Sequence, residues 1–271
     1  MNTDDRITAV LALRKARRVV VFSGAGISAE SGIPTFRDAG GFWQRFPRER
    51  FSTWKGLAQT ALTSPRSVAE FVLNVVEPIA IALPNPAHRA VAQLADYVPT
   101  TVVTQNVDGL HQSAGSQQVL EIHGSLLEVA NVATGRIVRR FVRSDLVPIA
   151  EILRRYAIGQ SSLFSLLRQL RRQYPFDWLA RHRPRLVMFG ESMAEPAWSQ
   201  AWSAVDECDV FITVGTSAAV LPAALLPEQA ARNGATVITI DPQPSFGCWL
   251  EGPAGTVLPE LVRDAFAKKA T

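Results

Sequence analysis

Four short runs of mainly β-branched apolar residues recur along the chain and predict buried β-strands. The runs are Arg17–Ser23, Thr100–Thr104, Val210–Val214 and Thr236–Ile240. Helical patterns lie between them, for example at Ala87–Leu94 and Leu226–Arg232. Continuous apolar runs are typical of parallel strands that are covered on both faces. Strands that alternate with helices join through right-handed βαβ crossovers. The sequence therefore predicts an α/β fold with a Rossmann-like, doubly wound parallel sheet.

Two segments, Phe42–Leu83 and Leu126–Pro184, interrupt this alternation. The first predicts helices built around the apolar residues Trp54, Val68, Phe71, Val72 and Val75. The second begins with short strand candidates and continues with two helical faces. The first face carries Ile149, Ile152, Leu153 and Tyr156, and the second carries Leu163, Leu166, Leu167, Leu170 and Tyr174. Two such insertions predict a smaller, mostly helical domain beside the sheet.

The domain boundaries follow from these interruptions. We assign 1–41, 84–124 and 185–271 to the sheet domain, and 42–83 and 125–184 to the small domain. A cleft between two domains is a common place for a ligand, so we expect the functional site there.

Composition narrows the class of protein. The 271 residues are 47% hydrophobic and 19% charged, which is typical of a soluble globular protein. No apolar stretch reaches the length of a membrane helix, and Asp4, Asp5 and Arg6 near the amino end argue against a secretory signal. We expect a cytoplasmic location and no membrane partner. Because Cys208 and Cys248 are the only cysteines, a four-thiolate zinc site is excluded and no metal is expected.

The net charge of +4 is concentrated in one segment. From Arg136 to Arg185 the chain has 12 arginines and only three acidic residues. A basic surface attracts nucleic acid or acidic protein segments. A solvated helix face explains the same pattern, and we prefer that interpretation, so nucleic acid is not the expected partner.

The first predicted strand runs into Gly24-Ala25-Gly26, with Ser28 two residues later. Glycines let the backbone approach a phosphate, and a helix start offers unpaired N–H groups. The segment lacks the third glycine of the usual dinucleotide fingerprint, so this motif alone is a weak indication.

Polar residues also follow the other predicted strands. Gln105, Asn106 and Asp108 come after the second run, where open α/β sheets bind ligands. Asn and Asp are also common turn formers, which is the simpler explanation. His123, in Glu121–Gly124, is a candidate general base. Its competitors are His88, for which capping or packing is expected, His111 and His182.

The last two strands end in groups that suit a nucleotide. Gly215, Thr216 and Ser217 offer backbone donors and two hydroxyls. Asp241 ends the following run, where a carboxylate accepts hydrogen bonds from ribose hydroxyls.

Taken in order, these motifs resemble the sirtuins, the NAD-dependent protein lysine deacylases, over nearly the whole chain. The matching stretches are 24–37 (GAGISAESGIPTFR), 85–88 (NPAH), 104–115 (TQNVDGLHQSAG), 121–124 (EIHG), 188–191 (MFGE), 215–224 (GTSAAVLPAA) and 252–262 (GPAGTVLPELV). Because several independent motifs occur in the same order as in sirtuins, His123 becomes a strong candidate for the general base.

The resemblance implies NAD as cofactor and an acylated lysine of a protein as substrate, with nicotinamide, free lysine and O-acyl-ADP-ribose as products. His123 would be the general base, with Asn106 and Asp108 beside it in the catalytic set. The implied cofactor-binding residues are Gly24, Ala25, Gly26, Ser28, Phe36, Arg37, Trp43, Gln105, Asn106, Asp108, Gly215, Thr216, Ser217, Asp241 and Cys248. The implied substrate-binding residues are Met188, Phe189, Gly190 and Glu191.

Three departures from the sirtuin pattern stand out. The four zinc-binding cysteines of the family fall at Asn131, Thr134, Pro175 and Trp178. A common Asn after the penultimate strand is replaced by Asp241. The Tyr and Arg of members that prefer succinyl or malonyl groups fall at Val72 and Val75.

Other functions remain open on the sequence alone. A mono-ADP-ribosyltransferase or an NAD glycohydrolase would break the same glycosidic bond, and a non-catalytic sensor of NAD or ADP-ribose would need only the binding residues. His123 favours deacylation, because a base for the ribose hydroxyl is needed only after the acyl group has been captured.

Overall fold

A computed structural model describes residues 3–35, 42–173, 182–217 and 219–267. The strands are β1 (Val19–Ser23), β2 (Thr100–Thr104), β3 (Val119–Glu121), β4 (Gly124–Asn131), β5 (Ile137–Arg140), β6 (His182–Leu186), β7 (Val210–Val214), β8 (Thr236–Asp241) and β9 (Cys248–Glu251). The four predicted runs therefore form β1, β2, β7 and β8.

Twelve α-helices lie in the described ranges, together with three short 3-10 helices. The α-helices are α1 (Thr3–Lys15), α2 (Phe42–Arg45), α3 (Arg48–Phe51), α4 (Trp54–Thr63), α5 (Pro65–Ile81), α6 (Pro86–Leu94), α7 (Leu110–Ser113), α8 (Leu146–Ala157), α9 (Leu163–Gln173), α10 (Ala197–Glu207), α11 (Leu226–Arg232) and α12 (Ala254–Phe266). The 3-10 helices are Ala25–Ser31, Arg143–Asp145 and Ala223–Leu225.

The main sheet is parallel throughout and doubly wound, which confirms the predicted fold class. Its strand order is β3-β2-β1-β7-β8-β9. From β1 the chain adds β2 and then β3 on one side. It later returns to the centre of the sheet, where β7 pairs with the other side of β1, and β8 and β9 then extend that side. The carboxyl ends of β1 and β7 therefore form a topological switch point, the position at which sheets of this type bind ligands.

Apolar side chains cover both faces of this sheet, which explains the continuous apolar runs. One face packs against α1, α6 and α12, and Leu13, Leu94 and Leu258 are fully buried there. The other face packs against α10 and α11, around Phe22 and Phe211. Their rings lie 5.9 Å apart. The sheet is therefore a buried layer between two helical layers.

The two insertions meet in a core of their own. A three-stranded antiparallel sheet of order β5-β4-β6 packs with α5 and α8. On α8, Ile149, Ile152, Leu153 and Tyr156 are all buried, as predicted. Helices provide most of the regular structure of this unit in the described residues, and the small sheet packs against them. The residue boundaries that we assigned to the two domains stay a prediction.

The predicted apolar face of α9 is only partly correct. Leu166 is buried, and Leu170 packs partly against the core of the insertions. Leu163 and Leu167 are exposed to 42% and 48% instead. Residue 174 lies outside the described residues. Helical spacing identified the helix, but only one side of the predicted face packs against the core of the insertions in the described residues.

No single helix in the described ranges is both long and apolar enough to cross a membrane. The pair α5 and α6, bent by 62°, meets that length and composition only when the two helices are taken together.

Candidate active site

Glycine allows the turns after β1 and β7 to touch at the switch point. A Cβ added at Gly24 would lie 2.7 Å from the Thr216 Cβ, and one at Gly26 would lie 2.7 Å from the Gly215 Cα. The Gly24 amide donates to the Val214 carbonyl at 3.2 Å, and the Gly26 amide donates to the Gly215 carbonyl at 2.8 Å. These two amides are therefore engaged by protein carbonyls. The glycines allow close packing of the two turns, and their approach to a phosphate stays a prediction.

Ser28 is buried beneath this turn and is engaged on both sides. Its hydroxyl donates to Asp108 Oδ2 at 2.8 Å and accepts from Asn106 Nδ2 at 3.1 Å. The only hydroxyl hydrogen is thus used inside the protein. The side chain fixes the positions of Asn106 and Asp108, and the contact of Ser28 with a phosphate stays a prediction.

Asn106 and Asp108 follow β2 and lie beside the first turn, as predicted. The Asn106 amide group also donates to the Gly24 carbonyl at 3.1 Å, so both of its hydrogens are used. Asp108 Oδ1 accepts from the Leu110 amide at 2.9 Å. Burial raises the Asp108 pKa, and the hydrogen bonds from Leu110 and Ser28 oppose that shift. Within the described residues nothing donates to Asn106 Oδ1, which leaves this acceptor for a ligand.

Gln105 joins the two halves of the sheet. Its side chain donates to Thr216 Oγ1 at 2.7 Å, across to the turn after β7. Its backbone carbonyl lies 3.1 Å from His123 Nδ1. One residue thus connects β2, the turn after β7 and the candidate base.

His123 lies between β3 and β4, at the same edge of the sheet. A carbonyl can only accept, so the contact with Gln105 assigns the hydrogen to Nδ1 and leaves a lone pair on Nε2. Burial lowers the His123 pKa, and the Gln105 hydrogen bond partly opposes this. The imidazole is therefore neutral near pH 7, which is the form that a general base requires.

The competing histidines have a supporting role that the sequence reasoning missed. His88 Nδ1 lies 3.0 Å from Asn85 Oδ1, and His111 Nε2 lies 2.9 Å from Ser23 Oγ. The two rings are 5.0 Å apart. Burial is the main cause that lowers the His88 pKa to about 4 and the His111 pKa to about 3. Both stay neutral, and His88 Nε2 lies 3.5 Å from Ser28 Oγ.

Asn85 shows how sequence reasoning could have found this layer. It caps α6 by accepting from the amides of Ala87 and His88, and its amide donates to the Ile27 carbonyl at 2.6 Å. The only signal in the sequence is the order of residues in 85–88, in which a capping Asn precedes the histidine by three positions.

The 188–191 stretch turns back toward α3 and α4 after β6. Glu191 Oε2 accepts from the Met188 amide at 3.0 Å and from Trp54 Nε1 at 3.1 Å. Its Oε1 pairs with Arg183 at 2.7 Å. The Glu191 carboxylate therefore fixes this turn against Trp54 and Arg183. Gly190, with φ +85°, makes the turn.

Phe189 is the exposed member of the stretch. Its amide donates to the Ser52 carbonyl, and its half-exposed ring lies 6.5 Å from the Trp43 ring. Two predicted ligand-binding aromatic residues are thus neighbours. The other predicted residues of this loop, Phe36 and Arg37, lie outside the described residues.

The adenosine end of the predicted site lies at the ends of β7 and β8. Gly215 has φ +59°, and a Cβ there would lie 2.2 Å from the Ile27 amide nitrogen. Thr216 and Ser217 follow it at the surface of the turn. Ala25, on the facing turn, is partly exposed. Asp241 ends β8 at the same edge of the sheet.

The side chain of Cys248 is buried in the main core. It begins β9, in register with Ile238, three residues before the carboxyl end of the neighbouring strand. Its thiol donates to the Asp5 carbonyl at 2.7 Å, and the side chain packs in the main core. Burial raises the Cys248 pKa to about 11. The side chain thus contacts α1, and the assignment of Cys248 to the cofactor stays a prediction.

Asn131 and Thr134 form a tight turn at two of the four positions where the family has zinc ligands. Asn131 Oδ1 accepts from the Ala133 amide at 3.0 Å and from the Thr134 amide at 3.1 Å. The other two positions, 175 and 178, lie outside the described residues. In the ranges that the structure does describe, no group of three His, Cys, Asp or Glu side chains could hold a metal ion.

The sequence pattern of the Sir2 family matches residues 24–222, which span every motif from the first turn to the turn after β7. This chain belongs to the Sir2 family. The NAD-dependent protein deacylase 1 of Pseudomonas aeruginosa is 41% identical over 262 residues, 94% of this chain and 96% of that protein. The NAD-dependent protein deacylase 2 of Pyrobaculum aerophilum is 38% identical over 258 residues, 93% and 92% of the two chains.

Solved structures of the family have the same architecture. A Sir2 homologue in complex with NAD has a TM-score of 0.74 at 31% identity, over 96% of this chain and 93% of that chain. A Sir2 protein bound to a myristoylated histone peptide has a TM-score of 0.67 at 30% identity, over 97% and 96%.

The polar groups at the switch point fit NAD. Acceptors and hydroxyls for ribose and amide groups line one edge of the sheet, namely Asn106 Oδ1, Thr216, Ser217 and Asp241. The partly exposed backbone at Ala25 and Gly26 lies between the two ends of this row.

Proposed function

We propose that this Sir2 protein is an NAD-dependent protein lysine deacylase that releases nicotinamide and O-acyl-ADP-ribose. The observation that carries the proposal is His123, held neutral with its Nε2 lone pair available, at the same edge as Asn106 and Asp108. Protein deacylases among its relatives, and a related structure with an acylated peptide, support the same reaction and an acyl-lysine substrate.

Each described residue has a part that its contacts support. When bound, NAD supplies a glycosidic bond that releases nicotinamide and an ADP-ribose group that takes the acyl chain. Asn106 offers Oδ1 to the amide or ribose at this end, and Ser28 and Gly24 fix its orientation. His123 Nε2 accepts a proton from a hydroxyl at the ligand edge. Trp43 and the exposed Phe189, whose rings are neighbours, offer apolar surface to a ligand.

Nicotinamide release, measured with and without an acyl-lysine peptide, tests this function. We expect release with NAD and peptide together, matched by equal amounts of deacylated peptide. Equal release with and without the peptide would show an NAD glycohydrolase. ADP-ribose transferred to a protein would show a mono-ADP-ribosyltransferase. No nicotinamide release under either condition would indicate a protein that binds NAD or ADP-ribose without catalysis.

We further propose that acetyl-lysine and longer apolar acyl-lysines are preferred to succinyl-lysine. Val72 and Val75, where the succinyl-preferring members have Tyr and Arg, are apolar and partly buried on α5. A buried carboxylate without a cation is costly. Values of kcat/KM on matched peptides test this, and a preference for succinyl-lysine would contradict it.

We also propose that the protein needs no structural zinc. Asn131 and Thr134 are hydrogen-bonded to each other as a turn, and neither is a thiolate. The insertions have a core of large side chains from α5 and α8 that can take over the stabilising role of the metal.

A further inference from the structure

The outer side of α9 carries apolar and basic residues together. The exposed apolar and arginine residues of this helix are Leu163, Phe164, Leu167, Arg168, Arg171 and Arg172. Successive residues of an α-helix are about 100° apart around its axis, so these six residues share one half of the helix. We call them the α9 face. The opposite half carries Leu166 and Leu170, which pack in the core of the insertions.

Apolar and basic side chains are neighbours on the α9 face. Helical spacing gives their order around the axis as Leu163, Leu167, Arg171, Phe164, Arg168 and Arg172. Phe164 is 77% exposed, the largest exposed fraction of its three apolar members. Arg171 falls between Leu167 and Phe164. The face therefore offers a ligand apolar contact and positive charge at the same place.

The three arginines of the α9 face have no acidic neighbours in sequence. From Ile152 to Gln173 the chain contains no Asp or Glu. Within the described ranges, no hydrogen bond or ion pair reaches these three side chains. The neighbouring α8 differs, because Arg154 pairs with Glu77 and Glu151, and Arg155 pairs with Glu151 at 3.0 Å. The protein thus neutralises the arginines of α8 and leaves those of α9 for another carboxylate.

Local helix chemistry explains only part of this pattern. Arg171 and Arg172 lie in the last turn, where the helix dipole favours positive charge. Arg168 lies three and four positions before them, and like charges at that spacing destabilise a helix. A solvated helix face explains exposed arginines but not the exposed Phe164 among them. Apolar patches rimmed by polar residues mark interaction sites.

We propose that the α9 face is a docking surface for an acidic, amphipathic segment of a partner protein. Apolar side chains of the segment contact Leu163, Phe164 and Leu167, and its carboxylates pair with the three arginines. Arginine clusters recognise acidic motifs in this way, and a guanidinium can bind a carboxylate through two hydrogen bonds. The docking surface is independent of the reaction proposed for His123.

The composition of the α9 face favours a protein over a lipid surface or a nucleic acid. A helix that lies on a membrane needs a continuous apolar side. Here Arg171 interrupts that side, and Leu166 and Leu170 are used by the core of the insertions. A nucleic acid is held mainly by many phosphate contacts, whereas half of the face consists of apolar side chains.

Fluorescence anisotropy with a labelled peptide tests the proposal. The probe is a helical peptide of about 18 residues, with Leu along one side and Glu along the other. A second probe has Lys in place of every Glu. We expect the acidic probe to bind with a Kd of about 1–100 μM and the basic probe not to bind. Because salt screens exposed charges, binding of the acidic probe should weaken as ionic strength rises.

Two variants of the α9 face should weaken this binding. The double substitution Arg168→Gln and Arg171→Gln removes two charges and should raise the Kd about tenfold. Phe164→Ala removes the most exposed apolar contact and should raise it by about the same factor. The matched control is Arg232→Gln with Arg263→Gln, which removes the same charge from exposed positions on α11 and α12. It should bind the probe like the wild type.

Stability and activity show whether the variants are folded. All the substituted side chains are exposed, so melting temperatures should match the wild type. Nicotinamide release with a short, uncharged acyl-lysine peptide should also be unchanged. A wild-type protein without that activity would contradict the proposed function alone, because probe binding is measured without NAD.

Several results would overturn the docking surface. Equal binding of the two probes would do so, as would the same Kd in the α9 variants and the control. Tighter binding to phosphatidylserine vesicles or to poly-uridylate, lost in the double arginine variant, would assign the face to a lipid or to a nucleic acid. A dimer in sedimentation velocity that Phe164→Ala dissociates would show that a second copy covers it.

Discussion

His123 carries the sharpest prediction for a single residue. We expect His123→Ala to lower the deacylation rate by about 10²–10⁴-fold, the usual effect of losing a general base, while NAD binding is retained. His182→Ala is the control, because His182 lies at the far end of β6, in register with Asn131. Turnover by His123→Ala close to that of the control would contradict the assignment.

The His123 pKa also predicts the pH dependence. The base must be neutral, and burial lowers its pKa below the ordinary value of about 6.5. The acidic limb of the activity profile should therefore be centred below 6.5, with activity lost as the pH falls through the lowered pKa. A plot of kcat/KM against pH, which reports the pKa of the free enzyme, measures this. An acidic limb centred above 6.5 would show that the imidazole is not desolvated as described.

Ser28 tests the hydrogen-bonded layer beneath the site. Ser28→Ala removes the hydroxyl between Asn106 and Asp108 and leaves both buried groups without this partner. We expect a loss of about 1–3 kcal/mol in the free energy of unfolding, measured with urea, together with reduced activity. Ser31→Ala is the stability control, because Ser31 Oγ is buried without a hydrogen-bond partner in the described ranges. Equal stability of the two variants would argue against the layer.

At the level of the element, α9 offers two adjacent leucines with different surroundings. Leu166 is 5% exposed and Leu167 is 48% exposed. We expect Leu166→Ala to cost about 2–5 kcal/mol of unfolding free energy, and Leu167→Ala to change it by no more than about 0.5 kcal/mol. Urea unfolding measures both. Similar losses would show that the whole apolar face is covered, as the sequence pattern first indicated.

At the level of the whole molecule, the insertions should fold without metal. Structural zinc contributes roughly 10 kcal/mol or more in sites that depend on it. Here the buried side chains of α5 and α8 form the core instead. The melting temperature should be the same with and without a chelator, and elemental analysis should find less than stoichiometric zinc. A large drop in chelator would contradict the proposal.

The sequence by itself determined the elements and the order of the motifs. The apolar runs that became β1, β2, β7 and β8 are local patterns, and a doubly wound sheet brings their carboxyl ends to one edge. For that reason Gln105, Asn106, His123 and the turn at Gly215 were predicted together.

Only the tertiary structure decided which partner each polar group takes. Ser28 and Asp108 are 80 positions apart, and no local pattern shows that their side chains meet. The Gly24 and Gly26 amides are engaged by carbonyls at the end of β7, and Cys248 by the carbonyl of Asp5 in α1. Helical spacing placed Leu166 and Leu167 on one face, but a face is buried only where another element covers it. Local propensity depends on neighbours in sequence, whereas hydrogen bonds and burial depend on neighbours in space.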